Sequence, residues 1–217
     1  MTTENELVLE RFTVHATIDG PGKNPHGLSF DGEHLWASDT GDNRVSKLNA
    51  ETGQVLLTIP FDGDVAGTAW DGECLWQADN RTKTLSRINP ETGEISLVVE
   101  CDTEGGVLGG LCFDGTDLWL IVTGTGQLRR LRTSDGAILK IHSVRKNGLG
   151  IGFDGRRLWY SDIDDGRVRK VDPGTGTELM SYALTTAPSG LAFASDRLYF
   201  SDSSTGKIHA VTLNSRR

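Results

Sequence analysis

Hydrophobic and polar positions follow one another in a phrase written five times along the chain. It reads Gly-Leu-Ser-Phe-Asp-Gly-Glu-His-Leu-Trp over residues 27–36 and returns at 67–76, 110–119, 150–159 and 190–199, with successive starts 40, 43, 40 and 40 residues apart. Each copy parses into short strands. In the first, Leu28-Ser-Phe30 leads into Asp31-Gly32, a pair favoured in tight two-residue hairpins. A second strand spans 35–38, a third 44–48, and a fourth 54–59 follows the turn Glu51-Thr52-Gly53. Third strands place two apolar residues three apart: Val45/Leu48, Leu85/Ile88, Leu128/Leu131, Val168/Val171 and Ile208/Val211. Alternation puts such a pair on opposite faces, as suits a sheet packed on both sides.

Repeats of this length, built of strands and turns, mark β-propeller blades. The fifth copy stops after its third strand at 207–213, while residues 8–18 read as a spare fourth strand. The expectation is an all-β fold: one five-bladed propeller over residues 1–217, four antiparallel strands per blade, with the N-terminal strand completing blade five. An open solenoid would leave that strand unused and expose two sheet edges.

Shared words of the phrase read as architecture. Trp36, Trp76, Trp119, Trp159 and Tyr199 fall at one internal position and are expected to pack between blades. Asp39, Asp79, Asp162 and Asp202 are expected to accept backbone N–H groups of the following turns.

Composition narrows the partners. The chain has 217 residues, a net charge of −8 and a pI near 5.1, and no Lys/Arg cluster, so neither nucleic acid nor an anionic membrane is an expected partner. The acidic start has no apolar core behind it, and no apolar run approaches the roughly 20 residues of a membrane span. Cys74, Cys101 and Cys112 have no metal-ligand spacing, and Cys74 is expected to be more exposed than Cys112. A cytoplasmic location with neither cofactor nor metal is the expectation.

Candidate chemistry lies where the copies differ. Loops leading into first strands (21–26, 62–66, 102–109, 145–149, 185–189) and loops leaving second strands gather around the mouth of a propeller's channel. The residue before each first-strand glycine reads His26, Ala66, Gly109, Leu149 and Ser189. One imidazole among small or apolar neighbours is the main asymmetry, and imidazole can shuttle protons near neutral pH. Repeat three replaces the recurrent Asp with Val122 and carries the longest inbound loop; the next loop brings Arg145-Lys146-Asn147, cations able to orient an anionic group.

The phrase Phe-Asp-Gly-x-x-Leu-Trp-x-Ser-Asp, followed by Glu-Thr-Gly, resembles repeats of the propeller superfamily that holds glutaminyl cyclases, streptogramin lyases and NHL-type propellers. The five-blade count is most similar to the glutaminyl cyclases, which turn N-terminal glutamine into pyroglutamate. Gly27-Leu28 matches their strand opening, with His26 at the position of a polar residue. The Glu/His pair of the lyases has no counterpart, since the chain holds no Glu-x-His or His-x-Glu. The resemblance implies a small-molecule enzyme of cyclising or eliminating type at the channel mouth. His26 would shuttle the proton, Asp39 or Asp79 would orient it or a substrate amine, and Arg145 or Lys146 would hold an anionic group beside Asn147 and Ser189. The alternative is a non-catalytic propeller that binds a small ligand or a protein on the same face.

Overall fold

Runs of five to eight residues rich in β-branched and large apolar side chains, cut by Asp- and Gly-containing turns, pair as short antiparallel strands. A computed structural model describes residues 11–184 and 186–214. Strand β1 (Phe12–Asp19) comes first. Blade I is β2 (Pro25–Phe30), β3 (Leu35–Asp39), β4 (Arg44–Leu48) and β5 (Val55–Pro60). Blade II is β6 (Val65–Trp70), β7 (Leu75–Asp79), β8 (Thr84–Ile88) and β9 (Ile95–Glu100). Blade III is β10 (Val107–Phe113), β11 (Leu118–Thr123), β12 (Gln127–Leu131) and β13 (Ile138–Ser143). Blade IV is β14 (Gly148–Phe153), β15 (Leu158–Asp162), β16 (Arg167–Val171) and β17 (Glu178–Ala183). Blade V holds β18 (Pro188–Ala194), β19 (Arg197–Asp202) and β20 (Lys207–Leu213).

Each of the first four blades pairs its strands in chain order, and blade V runs β18-β19-β20-β1. The ring is therefore closed by the N-terminal strand, Phe12 opposite Leu213 and Ile18 opposite Ile208. Pairing starts at Phe12; Val8 to Glu10 of the expected strand lie outside the described residues. Third strands bury both faces as their spacing implies. Val45 packs with Trp36 and Leu75 towards blade II, and Leu48 packs with Tyr199 and Ile208 towards blade V.

Inner strands meet backbone to backbone. A methyl group on Gly150 would lie 1.7 Å from the Ser189 carbonyl oxygen, and one on Gly190 would lie 1.8 Å from that of His26, so only glycine fits these positions. Buried serines clamp three of the five seams. Ser38 Oγ donates to the Ala66 carbonyl at 2.6 Å, Ser161 Oγ to Ser189 and Ser201 Oγ to His26 at 2.7 Å; each accepts the N–H of its own blade's glycine.

Three expectations are corrected. Asp31-Gly32 is not the centre of a two-residue hairpin: Asp31 N bonds the His34 carbonyl at 3.1 Å, and Asp31 Oδ1 accepts the N–H groups of Glu33 and His34, so the turn spans four residues. Inner strands begin earlier than Leu28, which puts His26 inside β2 and Ser189 inside β18 rather than in loops. Cys74 is buried at 5% exposure, as deeply as Cys112 at 8%: it is the last residue of its four-residue turn, its N–H bonded to Asp71 Oδ1.

The same turn aspartate does a second job. Asp31, Asp71, Asp114 and Asp154 accept the indole N–H of Trp36, Trp76, Trp119 and Trp159 at 2.7–2.9 Å. Each also faces a third-strand cation: Lys47, Arg87, Arg130 or Lys170. The three members always stand at Asp, +5 and +16, and blade V loses them together as Ala194, Tyr199 and Ala210. At the same end of the channel, Phe30, Trp70, Phe113 and Phe153 end their first strands and Phe193 stands one residue before the end of its own, around a cavity of about 80 Å³.

Candidate functional site

At the opposite end of the inner strands, the pre-glycine positions surround the channel mouth. His26 is half-buried there, with its ring against the Ala66 backbone of blade II. Burial disfavours its imidazolium, and although a hydrogen bond to the Ala66 backbone opposes this, the pKa falls to about 4. The ring is therefore neutral at pH 7, and its Nδ1 is cut off from solvent with no partner among the described residues. A proton shuttle working near neutrality needs a pKa closer to 7; this environment favours a lasting neutral hydrogen-bonding group.

Two further side chains in this seam share that condition. Thr68 on β6 and Gln77 on β7 stand opposite each other in register and are fully buried. Gln77 Nε2 donates to the carbonyls of Gly67 at 3.0 Å, Ala78 at 2.9 Å and Ala66 at 3.4 Å. Its Oε1 and the Thr68 hydroxyl have no partner among the described residues. The Ala66 carbonyl lies at the centre of the group: it accepts from the Ser38 hydroxyl and the Gln77 amide, and the Ala66 backbone also acts on the His26 imidazole. Other blades fill the Thr68 position with Leu28, Leu111, Ile151 and Leu191, and the Gln77 position with Ala37, Leu120, Tyr160 and Phe200. Sequence reasoning missed both residues, although alignment of the five copies exposes them as polar substitutions in otherwise apolar columns.

Asp39 and Asp79 are placed at the mouth with their carboxylates occupied. Asp39 Oδ2 accepts Asn24 N at 2.8 Å, and Oδ1 accepts the N–H groups of Gly41 and Asp42. Asp79 Oδ1 accepts those of Asp64 and Arg81. Burial alone would raise the Asp79 pKa, but these N–H donors and the Thr82 hydroxyl outweigh it and hold the carboxyl below its ordinary value. Ser189 Oγ is buried against Ser201 Oγ at 2.8 Å, inside the clamp between blades V and I.

The cationic sector lies across the channel in blade IV. Arg145 is 60% exposed, with Nε 3.9 Å from Asp162 Oδ2, and Asn147 Nδ2 donates to Asp164. Lys146 is exposed on the same loop. Behind them Arg169, buried at 3%, is ringed by Asp162 at 3.4 Å, Glu178 at 3.0 Å and Asp165. A cavity of about 240 Å³ in this seam is lined by Arg145, Tyr160 and Glu178 among others. Burial pushes the Tyr160 phenol up to about 12, so it stays protonated. The structure thus brings Arg145, Lys146 and Asn147 together but keeps them apart from His26, which sits in the blade I/II seam. Arg169 and its counterpart Arg129 also escaped the sequence reading; they occupy the third-strand position that is Ser46 and Ser86 in the first two blades. Among the described residues, no group of three or more His, Cys, Asp or Glu side chains is placed to hold a metal ion.

The sequence profile of one protein family, described as outer membrane protein assembly factor BamB, matches residues 15–150, more than half of the chain. The chain belongs to this family. No curated protein matches it in sequence. Among solved structures, this BamB-family propeller is similar to the glutaminyl cyclase of Myxococcus xanthus, with 16% identity, a TM-score of 0.82, and 95% of this chain and 98% of that one covered. It is also similar to a catalytically inactive virginiamycin B lyase from Staphylococcus aureus solved with quinupristin (18% identity, TM-score 0.59, 90% and 68% covered). The β-propeller domain of Cps50 (Swd1) from Myceliophteria thermophila matches at 10% identity and TM-score 0.59, covering 94% and 100%. At such identities these likenesses establish a shared architecture and leave chemistry to the site.

Proposed function

We propose that this propeller is a non-catalytic binder of a small, donor-rich ligand held at the channel mouth between blades I and II. The observation that carries this reading is the trio His26 Nδ1, Thr68 Oγ1 and Gln77 Oε1, all buried and unpartnered among the described residues. Each such orphan costs about 1–3 kcal/mol, so three in one seam call for a partner. Gln77 has committed its amide hydrogens to carbonyls, so its Oε1 can only accept, beside the Thr68 hydroxyl, which can accept or donate, and the His26 Nδ1. That set suits a group bringing at least two N–H or O–H hydrogens. The low basicity of His26 and the occupied carboxylates of Asp39 and Asp79 weigh toward binding over proton transfer.

Thr68→Val is the sharpest test, because it removes a hydroxyl that has no partner among the described residues and keeps the side chain's shape. The unliganded variant is expected to melt at or above the parent temperature. A bound amine, amide or polyol at 100 times its dissociation constant adds roughly 2.7 kcal/mol, a shift of about 5–10 °C, and that shift is expected to vanish in the variant. An undiminished shift sinks the assignment. A cyclotransferase reading is favoured by the likeness across 98% of the Myxococcus xanthus enzyme. Ammonia release from peptides beginning with glutamine separates the two: the binding reading expects none, and sustained release lost in His26→Ala would replace it.

A further inference from the structure

The other face of the molecule carries a second candidate site that the mouth does not explain. Equivalent grooves open between blades I and II and between II and III, each flanked by a four-residue turn, a third-strand cation and the next blade's first-strand aromatic. In the I/II groove Trp70 stacks on Trp36 at 6.4 Å and Lys47 lies 5.5 Å over the same indole, leaving about 250 Å³. In the II/III groove Arg87 takes a different course. Its Nε bonds Asp71 at 2.7 Å and its Nη2 bonds Glu73 at 2.8 Å; no cation stands over Trp76 among the described residues, and the cavity widens to about 530 Å³.

The lining of this wider groove is specific in kind. Phe113 has no ring partner among the described residues, and Leu97 adjoins it. In the same lining, Glu73 Oε1 and the hydroxyls of Thr133 and Ser134 hold no hydrogen-bond partner among the described residues, while the Arg87 side chain also hydrogen-bonds the Cys74 thiol. Charge decides among ligand classes. The guanidinium is already shared by two carboxylates, so it offers little to an anion, while its presence beside Glu73 disfavours a second cation. What remains matched is a neutral molecule with an apolar face for Phe113 and adjacent hydroxyls for the Glu73 carboxylate and its Arg87 partner.

We infer that the II/III groove binds a neutral saccharide, its ring stacked on Phe113 and a vicinal hydroxyl pair held by Glu73 and Arg87. The reading is independent of the mouth, since none of these residues touches His26, Thr68 or Gln77.

Saturation-transfer NMR on the whole chain tests it, with cellobiose, maltose, xylobiose and chitobiose as neutral probes and glucuronate and glucosamine as charged ones, each at about 10 mM so that millimolar affinity registers. At least one neutral disaccharide is expected to receive saturation. Glu73→Gln and the double change Thr133→Ala/Ser134→Ala, at positions exposed or, for Thr133, half-exposed, are expected to weaken it about tenfold or more while the melting temperature holds. Thr68→Val should leave it unchanged. No transfer to any neutral probe, transfer insensitive to both variants, or tighter binding of a charged probe overturns the assignment.

Discussion

Single carboxylates and one imidazole set how the molecule responds to acid. Burial would raise the pKa of Asp154, but the Trp159 indole, the N–H groups of Arg157 and Arg156 and the Lys170 ammonium outweigh it and hold the carboxyl below the ordinary value of 3.8. Asp31 and Asp71 are held down in the same way. A depressed carboxyl contributes stability that is complete above its unfolded pKa and lost as pH falls through the folded one, so these three act below about pH 4. His26 acts earlier. Its folded pKa of about 4 lies under the ordinary 6.5, so the unfolded chain takes up the proton first and stability falls between those two values. A shift of that size corresponds to about 3 kcal/mol. Urea unfolding at pH 7, 5 and 4 should show that loss, and His26→Gln should flatten the slope above pH 4; an unchanged slope places the proton uptake elsewhere. Asp154→Ala is expected to cost about 2–3 kcal/mol at pH 7, because it orphans an indole and two amide N–H groups together.

Among the strands, glycine separates packing from conformation. Gly150 on β14 faces the Ser189 carbonyl at a distance no Cβ tolerates, whereas Gly93 has a left-handed φ of 73° and nothing within 4 Å of an added methyl. Gly150→Ala should therefore cost about 3 kcal/mol or more through backbone displacement, and Gly93→Ala only about 1 kcal/mol of strain. Circular dichroism melts of the two variants rank them, and equal losses would mean that the inner seams are looser than the structure draws them. The repeat made strand order and blade closure legible because both follow from periodicity. Third-strand bounds match the sequence reading at Arg44–Leu48, and the two-faced burial followed from apolar residues three apart. Turn geometry was less legible, since Asp31-Gly32 fits a two-residue hairpin as well as the four-residue turn that the Trp36 indole bond selects. Two of the three polar residues at the mouth, Thr68 and Gln77, escaped because they lie in strand interiors, whereas attention to loops singled out His26 and Arg145. Buried orphan atoms become visible only when neighbouring blades are placed side by side.

For the molecule as a whole, the decisive contact joins its two ends. Strand β1 pairs with β20 along its length, and Asn214 N donates to the Arg11 carbonyl at 2.7 Å, so the last and first described residues are neighbours. Closure here depends on pairing and not on the order in which the chain supplies its strands, since Ile18 and Ile208 pack together with Leu35 and Tyr199 whichever is synthesised first. A permuted chain that starts at Gly20, runs to Asn214 and continues through a short Gly-Asn linker into residues 11–19 should therefore fold to the same ring, because the new hairpin bridges strands already adjacent. Its melting temperature is expected within about 5 °C of the parent, equivalent to about 2 kcal/mol or less at this size. A chain that starts at Gly20 without the transplanted strand should lose far more. It would expose the paired edge of β20 and bare Ile208 and Val211, and size-exclusion chromatography should show association through that edge. If the truncated chain stays monomeric and melts like the parent, ring closure contributes little and the blades hold by their seams alone. If the permuted chain fails while the parent folds, β1 must act early in folding, a role that its place in the finished ring does not reveal.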